Sequence, residues 1–117
     1  LAAGRMVATA LKAADKLAKM NVQAEVINIR SIKPLDGQLI IRSALKTGKV
    51  ITLEDNVIIG GMGSAVLALF SQENIRNIKV KLKGLPDKII PHGCIDQLFQ
   101  KYGLDWKAVV KDAIKEL

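Results

Sequence analysis

Between Val50 and Phe70 the chain runs from an apolar pair, Val50-Ile51, through an acidic pair, Glu54-Asp55. It then crosses Gly60, Gly61 and Gly63 into a second apolar run, Ala65 to Phe70. This order reads as a strand, a glycine-rich loop and a buried helix. Val50-Ile51 shows no polar alternation, the pattern of a strand covered on both faces. A sheet containing it needs helices above and below. In such open sheets, ligands and partners approach at the loops that follow the carboxyl ends of strands.

The rest of the chain supplies neighbours for that strand. Val7, Ala10, Leu11, Ala14, Leu17 and Ala18 share one helical face, and Lys12, Asp15, Lys16 and Lys19 the other. Leu1 to Gly4 leaves room for little of the strand that should feed this helix, so the first strand is expected to be truncated. Asn21 ends the helix. Gln23 to Arg30, with Val26, Ile27 and Ile29, has the β-branched content of a second strand. Pro34 pushes Lys33 towards extended geometry. Asp36 stands where an N-cap belongs, with Leu39, Ile40 and Ala44 on the buried side and Gly48 just past the helix end. Lys49 to Leu53 is the third strand, and Ser64 to Phe70 a helix that is apolar nearly all round.

Lys79, Lys81 and Lys83 alternate with Val80 and Leu82, a period of two that predicts one wet and one dry face. The plain reading is an edge strand guarded by lysines; the sharper one is an acceptor face for an acidic partner. Gly84-Leu85-Pro86-Asp87 breaks the strand. Ile89 and Ile90 lead to Pro91-His92-Gly93. A short helix carries Ile95, Leu98 and Phe99 and stops at Gly103. Asp105 is expected to cap a last helix whose apolar side is Trp106, Val109, Val110, Ala113 and Leu117.

Strands alternating with helices predict an α/β fold of three layers, α/β/α. A mostly parallel sheet of about four strands carries helices on both faces, and residues 1–117 form one domain. The expected strand order is second, first, third, fourth. Its switch point brings Gly4-Arg5-Met6 beside residues 54–63.

Composition narrows the function. The net charge is +7, spread as nine Lys/Arg against five Asp/Glu in residues 1–60 and nine against six in residues 61–117. Aromatics make up 3%, too few to stack single-stranded nucleic acid, so no nucleic-acid partner is expected. No apolar run approaches a membrane span, and the start is not a signal peptide. The start also lacks a methionine, and the chain reads as a piece of a longer protein. One cysteine, Cys94, permits no internal disulfide, which fits a reducing compartment, and it is expected as a small packed or helix-capping residue. Cys94 and His92, the only histidine, offer too few ligands for an internal zinc site.

The helix start at Gly60-Gly61-Met62-Gly63 could receive a phosphate through free N–H groups. It spells neither GxGxxG nor GxxxxGK[ST], and Glu54-Asp55 would repel an anion there; a tight strand-to-helix turn is the simpler reading. Ser64 lies in Gly-Met-Gly-Ser-Ala, not GxSxG. No internal catalytic set emerges.

Taken in order, Gly4-Arg5-Met6, Ile32-Lys33-Pro34-Leu35-Asp36, Glu54-Asp55-Asn56-Val57 with Gly60-Gly61-Met62-Gly63-Ser64-Ala65-Val66, and Gly84-Leu85-Pro86-Asp87 with His92-Gly93 resemble one family over essentially the whole chain. It is the C-terminal domain of 1-deoxy-D-xylulose-5-phosphate synthases, thiamine-diphosphate enzymes of the transketolase family. The first two motifs are also similar to the beta subunits of 2-oxoacid dehydrogenases. Cys94 departs from the serine- or threonine-like cap the resemblance leads one to expect.

The resemblance implies a parent transferase that condenses pyruvate with glyceraldehyde 3-phosphate, releases carbon dioxide and feeds isoprenoid, thiamine and pyridoxal synthesis. It implies that thiamine diphosphate and magnesium are held by the preceding domains. No catalytic, cofactor or metal residue carries over to this chain. It further implies an assembly role, against the preceding domains and within a homodimer, in the cytoplasm or, in a plant or alga, a plastid. The candidate interface or regulatory loop is Glu54, Asp55, Asn56, Gly60, Gly61, Gly63 and Ser64, with Asp87 and His92. Two other readings stand beside it. One is a free-standing domain binding phosphate at residues 60–64. The other is a module that uses Lys79, Lys81 and Lys83 to recruit a separate acyl-transferring subunit.

Overall fold

The β-branched and apolar segments at 2–3, 28–29, 49–57 and 79–85 come together as one parallel sheet. The computed structural model describes residues 1–115; Leu117, expected on the last helix, lies outside the described residues. Strand β1 (Ala2–Ala3) feeds helix α1 (Met6–Ala18). Then follow β2 (Asn28–Ile29), α2 (Gly37–Thr47), β3 (Lys49–Val57), α3 (Met62–Gln72), β4 (Lys79–Leu85), α4 (Ile95–Lys101) and α5 (Trp106–Lys115). The order is β2-β1-β3-β4, as expected, and every pairing is parallel.

Local chemistry sets several boundaries. The Asp36 carboxylate accepts from the Leu39 amide at 3.1 Å, closing the first turn of α2, and Gly48 ends it at φ +70°. Asn21, past the end of α1, is left-handed at φ +59°. Lys33–Pro34 is a cis peptide bond.

Two cores sit on the two faces of the sheet. One joins α2 and α3 to the sheet through Ile27, Ile29, Ile40, Ala44, Val50, Met62, Val66 and Phe70. The other joins α1 and α5 through Ala2, Met6, Ala10, Ala13, Leu53, Leu104 and Val109. Met6, Ile40, Met62, Leu104 and Val66 are fully buried, and each contributes roughly 1.5–3 kcal/mol by leaving water.

Four expectations need correction. The second strand is not Gln23–Arg30 but Asn28–Ile29, because a ladder extends only as far as its partner, and β1 offers only Ala2 and Ala3. The third strand does not stop at Leu53. It continues to Val57, so Glu54, Asp55 and Asn56 belong to the strand and not to a loop after it. Helix α3 is not buried all round: Leu67 is 43% exposed on its outer side. The lysine face of β4 is not wet along its length. Strand β4 is the sheet edge, but α5 reaches over that face, and Lys83 is buried against Asp112.

Candidate interface at the carboxyl ends of the strands

Because β3 alternates, Thr52 and Glu54 point to the α3 side while Leu53 joins the α1–α5 core. Glu54 is buried, and its carboxylate closes onto the start of α3. The Met62 amide donates to Oε2 at 2.7 Å and the Gly63 amide to Oε1 at 2.9 Å. These are two of the orphan donors every helix start presents, and a carboxylate there also suits the helix dipole. The next donors back along the loop are used as well. The Gly60 amide donates to Ser64 Oγ at 3.1 Å and the Gly61 amide to the Ile58 carbonyl at 3.2 Å, while Ser64 Oγ donates to that same carbonyl at 2.7 Å.

This contact requires glycine at 61 and 63. A Cβ on Gly61 would overlap Glu54 Oε2 and stand 2.5 Å from the Val57 carbonyl. One on Gly63 would stand 2.8 Å from Thr52 Oγ1 and 2.9 Å from Leu82 Cδ2. Thr52 Oγ1 is buried beside it without a hydrogen-bond partner among the described residues. The glycines therefore serve close approach of α3 to β3.

The switch point assembles as expected on its outer rim. Arg5 Nε lies 3.1 Å from Asp55 Oδ2, an exposed pair between the start of α1 and the end of β3. The chain after β3 is tied to β4, since the Ile58 amide donates to the Leu85 carbonyl at 3.0 Å. Asn56, Asp87 and His92 are exposed. Among the described residues no hydrogen bond or ion pair joins Asp87 or His92 to the Glu54 group. Cys94 holds the N-cap position of α4 but is exposed and makes no capping bond, so it is neither packed nor a cap.

The nine residues singled out from sequence thus divide. Glu54, Gly60, Gly61, Gly63 and Ser64 bind the domain to itself. Asp55, Asn56, Asp87 and His92 face outwards. Sequence reasoning missed the outward apolar residues beside them. Ile59, 71% exposed, follows β3, and Ile89, 95% exposed, follows β4, its neighbour in the sheet. An isoleucine within a glycine- or proline-rich loop after a strand was the available signal.

Chemically, the Glu54 carboxylate fills the place a phosphate would take, and the four amide donors of residues 60–63 are occupied. Thiamine diphosphate and magnesium do not fit this helix start either. Among the described residues no three His, Cys, Asp or Glu side chains gather as a metal site. The remaining buried charge is structural. Lys83 Nζ donates to Asp112 Oδ2, and Lys81 Nζ lies 3.8 Å from Oδ1. Burial raises the Asp112 carboxyl, but the Lys83 hydrogen bond and the charges of Lys83, Lys81 and Lys115 outweigh it and hold it below its ordinary 3.8. No helix among the described residues is long and apolar enough to cross a membrane.

Comparison with known proteins places this geometry. The family described as "Transketolase, C-terminal domain" matches residues 1–109. The 1-deoxy-D-xylulose-5-phosphate synthase of Desulforudis audaxviator is 47% identical over 116 residues, 99% of this chain and 18% of that protein. That of Desulfotalea psychrophila is 43% identical over 111 residues, 95% and 17% respectively. A solved structure described as split gene transketolase, inactive beta4 tetramer, superposes with a TM-score of 0.88 at 38% identity, covering 97% of this chain and 37% of that one. The chain spans under a fifth of the length of the curated relatives it matches.

Proposed function

The chain belongs to the transketolase C-terminal domain family, and on that premise we propose that it is the non-catalytic assembly domain of a 1-deoxy-D-xylulose-5-phosphate synthase. The parent enzyme would condense pyruvate with glyceraldehyde 3-phosphate and release carbon dioxide, using thiamine diphosphate and magnesium held by its other domains. The single domain of residues 1–117 packs on the preceding domains, contributes to a homodimer, and works in the cytoplasm.

The observation that carries this reading is the division of the strand-end residues. The groups able to bind a ligand are turned inwards and satisfied, while Ile59 and Ile89 stand in the open beside Asp55, Asn56, Asp87 and His92. Exposed isoleucines in the loops that follow two adjacent strands suit a protein partner. The similarity to proteins named as synthases over nearly all of this chain, but a small share of theirs, supports a part of a larger enzyme. One solved relative is described as both inactive and a tetramer, which agrees with assembly without catalysis.

Reconstitution tests the reading. The chain is mixed with the separately produced cofactor-binding portion of a matching synthase, and pyruvate-dependent product is followed. Activity that requires the chain supports an assembly domain. No effect in a folded mixture counts against it.

A further inference from the structure

Three ammonium groups gather on the α1–α5 layer around Trp106, the chain's single tryptophan. Lys12 Nζ lies 5.2 Å from the ring centroid, Lys16 Nζ 5.5 Å and Lys107 Nζ 5.7 Å. The ring packs against the α1–α5 core and is half-buried, as is Lys16, while Lys12 and Lys107 are exposed. Lys88 and Lys101 stand in the same way at Tyr102, at 5.7 and 5.6 Å. None of these five lysines has an ion pair among the described residues. Nor have Asp15 and Asp105, the acids nearest to Trp106 and its three lysines in sequence.

The lysines of the sheet differ in this respect, since Lys81 and Lys83 are answered by Asp112. At Trp106 only the ring answers the charge. An exposed lysine over an indole gains about 0.5–1 kcal/mol. Three held to one ring also repel one another, because salt screens them only over about 8–10 Å. An anion set among them relieves that repulsion and leaves the ring contacts in place.

We propose that this patch docks an acidic segment of a separate protein, with its carboxylates on Lys12, Lys16 and Lys107 and an apolar side chain against the rim of Trp106. The chemistry of the patch selects that partner. It holds no arginine, whose planar fork suits phosphate. Its one ring is already flanked by ammoniums where a nucleic-acid base would have to stack. A membrane surface takes large apolar groups that stand out beside the charges, whereas this indole is packed on the core. Lysines are compact point charges that meet single carboxylates. The patch lies on helices α1 and α5, while the assembly reading rests on the loops after β3 and β4, so the inference does not depend on that reading.

The test titrates the 117-residue chain with the peptide Asp-Glu-Leu-Asp-Glu-Leu-Asp-Glu and follows the emission of Trp106, which reports from within the patch. The expected result is a saturable change whose affinity falls at least about tenfold when salt is raised to about 0.5 M. Lys12→Gln with Lys16→Gln weakens binding at least about fivefold, and Arg42→Gln with Arg76→Gln, equal in lost charge, does not. Thermal unfolding checks each variant, and Lys107→Gln serves as a second probe of the patch should the first not fold. An emission that never changes overturns the proposal. So does equal weakening in the two double variants, since net charge alone would then attract the peptide. Tighter binding of phosphatidylserine vesicles or of oligothymidylate through the same lysines overturns it too, because the occupant is then a membrane or a nucleic acid. The titration is repeated in the mixture with the cofactor-binding portion. Retained binding supports a separate partner; binding lost on assembly overturns it, because the parent's own domains then cover the patch. A mixture that does not assemble counts against the proposed function alone and leaves the titration of the chain to decide this inference.

Discussion

The Glu54 carboxylate accepts the Met62 amide at 2.7 Å while buried within its own strand. Its second oxygen takes the Gly63 amide. A side chain eight residues earlier thus supplies what an N-cap residue or a bound anion supplies elsewhere. Glu54→Gln keeps the shape but offers one accepting oxygen, and its amide group faces an N–H donor. We expect a loss of about 1–3 kcal/mol in urea unfolding for that exchange, and a larger one for Glu54→Ala. Unchanged stability in Glu54→Gln would show that solvent, not the carboxylate, satisfies the start of α3.

The surroundings of Gly61 and Gly63 assign them to the fold and not to the interface that their loop position suggests. The Cβ of Gly61→Ala would meet a backbone carbonyl, which cannot move aside cheaply; that of Gly63→Ala would meet two side chains, which can shift. Gly61→Ala should cost of order 3 kcal/mol or more, or prevent folding. Gly63→Ala should cost about 1–3 kcal/mol, as overpacking does. The order is read by thermal unfolding of the chain alone. A Gly61→Ala chain that unfolds like the original but fails to assemble would return Gly61 to the interface.

Legibility in the sequence depends on how local the cause is. Asp36 and Gly48 end α2 where expected because a cap needs only its own turn. The strand order follows from alternation and the crossover rule. The length of β2 is not legible, since it depends on how much partner β1 offers. Nor is the burial of Lys83: a period of two tells which residues share a face of β4, but not that α5 covers that face with Asp112. From sequence, Glu54 is a repellent for anions at the loop; in the fold it is itself the anion at the helix start, a role set by how closely α3 returns to β3.

Lys83, buried, and Asp112, partly buried, form a pair with an asymmetric response to mutation. Asp112→Ala leaves the Lys83 ammonium enclosed without its carboxylate and should cost about 3–5 kcal/mol. Replacing both with apolar residues, Lys83→Met with Asp112→Leu, should recover most of that loss. The Asp112 carboxyl titrates lower folded than unfolded, so its stabilisation is complete above 3.8 and disappears as pH falls through the lower folded value. Asp112→Asn should accordingly flatten the stability profile below pH 4. A steep acid limb that persists in Asp112→Asn would assign the acid response to other carboxylates. The same burial predicts that charge removal at Lys83 damages the fold and not merely a partner contact.

The outward residues should behave in the opposite way. Ile89→Asp and Asp55→Asn alter exposed groups, Asp55 in an exposed pair with Arg5. Each should change the stability of the isolated chain by no more than about 0.5 kcal/mol. If the strand ends form the assembly face, Ile89→Asp should still weaken association with the cofactor-binding portion at least about tenfold, the equivalent of ~1.4 kcal/mol. Sedimentation of the mixture measures it. Full association with Ile89→Asp would move the interface away from the loops after β3 and β4.

The buried Leu1 amino group gives the 117-residue chain a pH signature. In the 117-residue chain with a free amino terminus, burial lowers it from 8.0 to about 6. The unfolded chain thus holds its proton to higher pH than the folded one. Above pH 8 neither state is protonated there and folding carries no penalty; below pH 6 both are, and the folded state bears an ammonium out of water. Stability should rise between pH 6 and 8 by about 2–3 kcal/mol, because each tenfold difference in proton affinity between the two states is worth about 1.36 kcal/mol. Acetylating the terminus leaves an N–H able to donate to Ile51 but removes the charge, so the rise should vanish. Urea unfolding at pH 6 and pH 8.5, with and without the acetyl group, reads the difference. Parallel profiles for the two forms would mean that the amino group is solvated in the folded chain.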